Sequence, residues 1–322
     1  MEKVIFKVLD EMAEYLNIEQ LQKLQQVLVG HLAENKVSSA EITNEQYLRM
    51  FLEAKKIEGC SERTLTYYQV TIQHLLKTVT DPVRRITTET MRAYLTDYQK
   101  INNCSNATVD NIRRNISSFF SWLEEEDHIL KSPMRRIHKI RTKKTVKEVI
   151  SDEAIEKLRD NCQTARDLAI VDMLYSTGIR VGELVNLNKT DINFEERECI
   201  VFGKGDKERR VYFDAKTKLH LQKYLAERTD DNPALFVALD APHDRLKISG
   251  VEIRLRKLGR SLELDRIHPH KFRRTMATRA IDKGMPIEQV QKILGHSQID
   301  TTMVYALVNQ NNVKASHRRY IA

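Results

Sequence analysis

ECIVFGKGDKERRVYFD, Glu198 to Asp214, is the one stretch of this chain that reads confidently as a β-hairpin. Two runs of strand-forming residues flank a turn bearing Gly203 and Gly205, the pattern of two antiparallel strands about a tight connection. Around it the apolar residues recur with helical period. SDEAIEKL starts a helix, with Ser151 as cap and Asp152 and Glu153 at the positive end of the dipole. Helical patterns continue through Leu174, return over Lys216 to Glu227 and Val251 to Leu258, and resume after Pro269. The carboxyl half is therefore expected to be mainly α with a small β-sheet.

The amino half has no such hairpin. From Asn44 to Ile129 the pattern is almost continuously helical, with SERT (Ser61 to Thr64) and SNAT (Ser105 to Thr108) as N-cap signals. Leu65, Tyr68, Ile72 and Leu75 form one apolar face, and Ile112, Ile116, Phe119, Phe120 and Leu123 another. The first forty residues read as two short amphipathic helices. Between the halves, Lys131 to Lys147 holds eight Lys or Arg and no acid. Such a run is a solvated linker or a strip laid along phosphates, because like charges resist compaction. The expected organisation is a helical extension over 1–43, a helical domain over 44–130, a basic linker over 131–149, and a second domain over 150–322.

At 322 residues the chain is long enough for two cores. Its formal net charge of +8 favours a polyanionic partner, nucleic acid before anionic membrane. Cys60, Cys104, Cys162 and Cys199 lack CxxC spacing, which implies neither a zinc site nor a disulfide framework, but reduced, buried thiols. No apolar run approaches the roughly 18–20 residues that span a bilayer. Met1 to Leu16 carries Glu2, Asp10, Glu11 and Glu14 where a signal peptide would be apolar. The expected location is the cytoplasm.

Four short motifs carry chemistry. YSTGIRVGELVNL places Arg180 after a C-capping Gly178, at the start of a helix with Glu183 on the same face. FGKGDKER holds Lys204 at the hairpin tip, with Lys207 as a rival. HPHKFRRTMATRA puts His270 and Arg273 on one helical face, with Pro269 just before or at the helix start. In LGHSQIDTTMVY, Gly295 breaks a helix, His296 is exposed after it, and Tyr305 lies inside the start of the next. Together these give two fixed cations, a movable proton donor, two imidazoles and a phenol, a set suited to phosphoryl transfer. Guanidinium forks match the non-bridging oxygens of a phosphodiester under attack, and tyrosine can be a covalent nucleophile if it loses its proton during attack.

In this order and spacing, TG-x-R, GKG-x-K-x-R, H-x-x-R, LGH and Y resemble the tyrosine recombinase, or phage integrase, family from about residue 44 to the carboxyl end. The resemblance implies that Arg180 and Arg273 clamp the scissile phosphate while Tyr305 attacks it, and that Lys204 protonates the departing 5′ oxygen. His270 would act as acid or base, His296 would hydrogen-bond a phosphate oxygen, and Glu183 would orient its neighbours. Arg274 stands where many relatives have a second histidine. The implied fold is a two-domain clamp on double-stranded DNA, a helical core-binding domain and a mixed catalytic domain. Arg135, Arg136, Lys139, Arg141, Lys143 and Lys144 would lie along phosphates between them. A 3′-phosphotyrosyl intermediate retains the phosphodiester energy, so neither cofactor nor metal is expected, and four protomers would act on two sites.

The leading function so implied is integration or excision of a mobile element, with Xer-type resolution of chromosome or plasmid dimers beside it. A DNA-binding regulator that no longer cuts, and a type IB topoisomerase, share the fold or the chemistry. The target sequence is not legible.

Overall fold

The structure, a computed structural model, describes residues 2–34, 42–142, 148–203, 208–264, 266–296, 298–303 and 305. The chain divides into two compact units, Met1–Lys144 and Thr145–Ala322.

The first unit is all helical among its described residues. Helices α1 (Glu2–Met12) and α2 (Ile18–Glu34) pack on each other, and α3 (Asn44–Ile57), α4 (Glu62–Thr78), α5 (Thr88–Ile101) and α6 (Asn106–Glu125) form a bundle. Each helix of the bundle starts the same way. Thr43, Ser61, Thr87 and Ser105 lie in extended conformation, and each side chain accepts the backbone N–H three residues on, satisfying a donor the helix itself leaves orphaned. The predicted apolar faces meet in one core, where Phe51 packs edge-on against Tyr68, Phe119 and Trp122.

The described part of the basic segment differs from a solvated linker. Met134 is buried in the bundle core, and Ile137 and Ile140 pack against it. Ile140 N–H donates to Asp110 Oδ1 at 3.0 Å, and Asn106 Nδ2 donates to the Arg141 carbonyl at 3.0 Å. Three apolar residues at three-residue spacing anchor the strip, while Arg136, Lys139 and Arg141 between and beyond them stay exposed. Arg135 pairs with Glu124 at 2.9 Å. Lys143 and Lys144 lie outside the described residues.

The second unit is mainly helical around a small sheet. It runs through α7 (Asp152–Asp160), α8 (Ala165–Thr177), α9 (Val181–Asn186), β1 (Ile192–Asn193), β2 (Glu198–Phe202) and β3 (Glu208–Tyr212). Then follow α10 (Ala215–Ala226), α11 (Ile248–Ser261), α12 (Pro269–Asp282), α13 (Ile287–Leu294) and α14 (Ile299–Met303). The hairpin is antiparallel, with Glu198 opposite Tyr212 and Phe202 opposite Glu208. A short third strand, β1, extends it, pairing Ile192 with Cys199. Cys199, Val201 and Val211 face a core that also takes Leu174, Leu184, Phe236 and Phe272. Cys199 is buried, whereas Cys60, Cys104 and Cys162 are only half-buried, and all four are free thiols. Among the described residues, no helix is long and apolar enough to cross a membrane, and no group of three or more His, Cys, Asp or Glu is placed to hold a metal ion.

Candidate active site

Gly178 ends α8 in the left-handed conformation, φ +61°, as the sequence pattern requires. Two residues later Arg180 is the N-cap of α9 rather than its first helical residue. Its backbone N–H donates to Glu183 Oε2 at 2.9 Å and its side chain to Glu183 Oε1 at 2.9 Å. The expected arginine–carboxylate pair is therefore closed locally, by a carboxylate reaching back one turn.

Glu183 is buried, and its second partner comes from afar. Arg209, on β3, donates to Oε1 and Oε2 at 2.6 Å each, a bidentate fork, with 9% and 5% of the two side chains exposed. Burial alone would raise the Glu183 carboxyl, but the hydrogen bonds from Arg209 and from the Arg180 backbone hold it below the usual carboxylate value.

The carboxyl end of α13 organises three arginines. Arg209 Nε donates to the Ile293 carbonyl at 2.8 Å, Arg273 to the Leu294 carbonyl at 2.5 Å, and Arg180 to the Gly295 carbonyl at 3.2 Å. These carbonyls have no partner within the helix and carry the negative end of its dipole, so guanidiniums suit them. Gly295 takes φ +63°, and a Cβ there would lie 2.8 Å from Arg209 Cδ. The glycine that stops the helix also makes room for the arginine.

Pro269 is the first residue of α12, and Arg273 lies one turn in, 2% exposed, its other end donating to the Gly178 carbonyl at 2.8 Å. Burial, then repulsion from Arg180 and Arg209, brings its guanidinium down to about 10. Arg273 also donates to His296 Nε2 at 3.0 Å, and His296 Nδ1 lies 2.9 Å from Thr302 Oγ1. Because a guanidinium only donates, Nε2 must accept, so Nδ1 carries the proton and gives it to Thr302. His296 is thus partly buried rather than exposed. Burial, and after it the Arg273, Arg180, Arg209 and His270 charges, hold it down to about 4, neutral at physiological pH.

Tyr305 stacks on His296, ring centroids 6.1 Å apart at 26°. It follows α14 in a turn instead of opening a helix, its N–H donating to the Thr302 carbonyl at 2.9 Å, and it packs against Ala277, Val290 and Leu294. The structure thus brings Arg180, Glu183, Arg273, His296 and Tyr305 together. His270 is exposed at the start of α12, near enough for its charge to act on His296. Lys204 and its rival Lys207 lie outside the described residues. Sequence reasoning missed two members of the cluster. Arg209 is the last position of the GKG-x-K-x-R pattern, and Thr302 is one of the threonines before Tyr305.

The profile of the phage integrase family matches residues 148–312, and that of the phage integrase N-terminal SAM-like domain matches residues 47–129. Tyrosine recombinase XerC of Oceanobacillus iheyensis is 30% identical over 292 residues, 85% of this chain and 95% of the relative. Tyrosine recombinase XerA of Pyrococcus horikoshii is 27% identical over 278 residues, 85% of this chain and 93% of the relative. The chain belongs to the phage integrase family of tyrosine recombinases, DNA-binding enzymes of DNA recombination. Solved structures agree on the fold. The Tn1549 transposon integrase in complex with a circular intermediate DNA superposes with a TM-score of 0.72 at 18% identity, covering 87% of this chain and 99% of that one. XerH bound to palindromic difH substrate gives 0.68 at 19% identity, covering 97% and 94%.

Proposed function

We propose that this recombinase cuts and rejoins DNA at specific sites through a 3′-phosphotyrosyl intermediate, and that its biological task is integration or excision of a mobile element. The observation that carries the chemistry is electrostatic. Two guanidiniums, Arg180 and Arg209, share one carboxylate, Glu183, while a third, Arg273, is buried beside them next to His296 and the Tyr305 ring, and the repulsion it feels from the other two is offset when an anion arrives. A phosphodiester is such an anion. Tyr305 Oη attacks phosphorus, Arg180 and Arg273 take the charge that grows on the non-bridging oxygens, and Lys204 gives its proton to the leaving 5′ oxygen, with His270 as acid or base. His296, relieved of Thr302, turns its N–H to a phosphate oxygen. Rejoining is the reverse attack by a 5′ hydroxyl, so no external energy source or metal enters the balance.

The reading extends to a clamp of two domains, 44–130 and 150–322, with the basic strip along the phosphates, and to four protomers on two sites in the cytoplasm. Dimer resolution is the second reading, favoured by XerC and XerA relatives that align over nearly their full length. Trapping covalent adducts on DNA from the source and mapping them tests both. Adducts at the ends of a mobile element support the first, adducts at one chromosomal site the second, and absence of any adduct leaves a DNA-binding regulator.

A further inference from the structure

Arg209 sits on β3 opposite Val201, on the face that turns Val211 into the core. Strand alternation asks for an apolar side chain there. A guanidinium in that position must be kept for something other than stability, because a buried ion pair commonly gains little over well-packed apolar residues of the same volume. Its donors are turned inward. The fork holds Glu183, Nε holds the Ile293 carbonyl, and the side chain is 9% exposed, whereas Arg180 keeps 41% of its side chain in solvent. Among the described residues Arg273, though 2% exposed, is hydrogen-bonded to neutral groups, two carbonyls and an imidazole. Its charge and that of half-exposed Arg180 can therefore answer a phosphate, whereas the charge of Arg209 is spent bidentately on Glu183.

Those commitments join three separate pieces of chain. Glu183 holds both the backbone and the side chain of Arg180. Ile293 precedes the Leu294 and Gly295 carbonyls, which hold Arg273 and Arg180. β3 itself is one arm of the hairpin that carries Lys204. We propose that Arg209 is a positioning residue for strand cleavage, locking Arg180, through Glu183, and the turn before His296 to the hairpin, so that the phosphate-binding groups are preset before DNA arrives. This rests on the cut-and-rejoin reading. Losing the lock leaves Arg180 its charge but frees its aim, and misplacement of a catalytic group by about 1 Å costs about 100-fold in rate.

The test uses the full chain and a nicked duplex built on the cleavage site that adduct mapping identifies. Arg209→Lys keeps the charge but cannot span both Glu183 oxygens and the Ile293 carbonyl. It should fold and bind the duplex as the wild type does, yet form adduct about 100-fold more slowly in a single turnover. Most of that deficit should vanish when the scissile phosphate carries a methyl group in place of one non-bridging oxygen, since less charge then awaits Arg180. Glu183→Gln should show the same substrate-selective loss. Should Arg209→Lys fail to fold, the double variant Arg209→Met with Glu183→Gln, which leaves no buried carboxylate without its counter-charge, carries the same expectation. A deficit equal on both substrates, or no deficit in a folded variant, overturns the proposal. A wild type that forms no adduct at all overturns the cut-and-rejoin reading itself, a distinct failure.

Discussion

The two units bury different things. The interior of the first is apolar and aromatic, with Asp110 as its buried charge among the described residues, held by Arg113 and the Ile140 backbone. The interior of the second takes in Arg166, Asp172, Glu183, Lys271 and Arg273. Burying a charge costs free energy unless it is paired and hydrogen-bonded, so a chain accumulates such groups where they do something else. The contrast separates a unit that is held together from a unit that is also held ready, and each of the following measurements can break or sharpen it.

The largest effect is expected at the phenol. Tyr305→Phe keeps the ring against Ala277, Val290 and Leu294 and removes only the hydroxyl, so cleavage should be abolished with DNA binding and melting temperature unchanged. Adduct that persists in a gel assay would move the nucleophile to Tyr320 or to Tyr212 on the hairpin. Lys204→Ala should slow cleavage by about 10²–10⁴, the usual contribution of a positioned general acid. A substrate with a 5′-bridging sulfur, which leaves without a proton, should recover most of the loss, and no recovery would strip Lys204 of that role.

Next come paired substitutions that set the interiors against each other. Phe119→Ala, in the first core, should cost about 3–5 kcal/mol of stability in denaturant titration. Arg273→Met should instead lower cleavage by about 10²–10³, with a far smaller loss of stability. A large stability loss at Arg273 would make its burial structural and erase the contrast.

The pH dependence is smaller. Folded His296 stays neutral until about pH 4, whereas an unfolded histidine takes up a proton near 6.5. The unfolded state therefore binds more protons over that window, and stability falls as pH drops from 6.5 towards 4. His296→Gln should flatten that part of the melting-temperature profile; an unchanged profile would mean that His296 is protonated in the fold. The smallest effect is expected in the first unit. Neutralising Arg136, Lys139 and Arg141, exposed on the anchored strip, should flatten the slope of log K against log salt by about two to three units, equally on target and random DNA. A slope that holds would make the strip a solvated surface.

Local spacing made much of this molecule legible. The caps at Ser61, Ser105 and Ser151 were readable because a cap and its donor are three residues apart, as was the Arg180–Glu183 pair, and the hairpin because its strands adjoin. The basic strip was half legible: its charges are conspicuous, but the anchoring of Ile137 and Ile140 depends on a helix face that composition does not show.

By itself the sequence determined the helical character of most of the chain, the helix starts at Ser61, Ser105 and Ser151, the hairpin, and the order in which Arg180, Arg273, His296 and Tyr305 occur. Only the tertiary structure decided that Arg209 shares Glu183 with Arg180, and that three arginines converge on consecutive carbonyls at the end of α13. Those contacts join residues 84, 21 and 115 positions apart. No periodicity of 2 or 3.6 reaches so far, and what draws the partners together is the need of buried guanidiniums, a carboxylate and the open end of a helix to satisfy one another once water has been excluded.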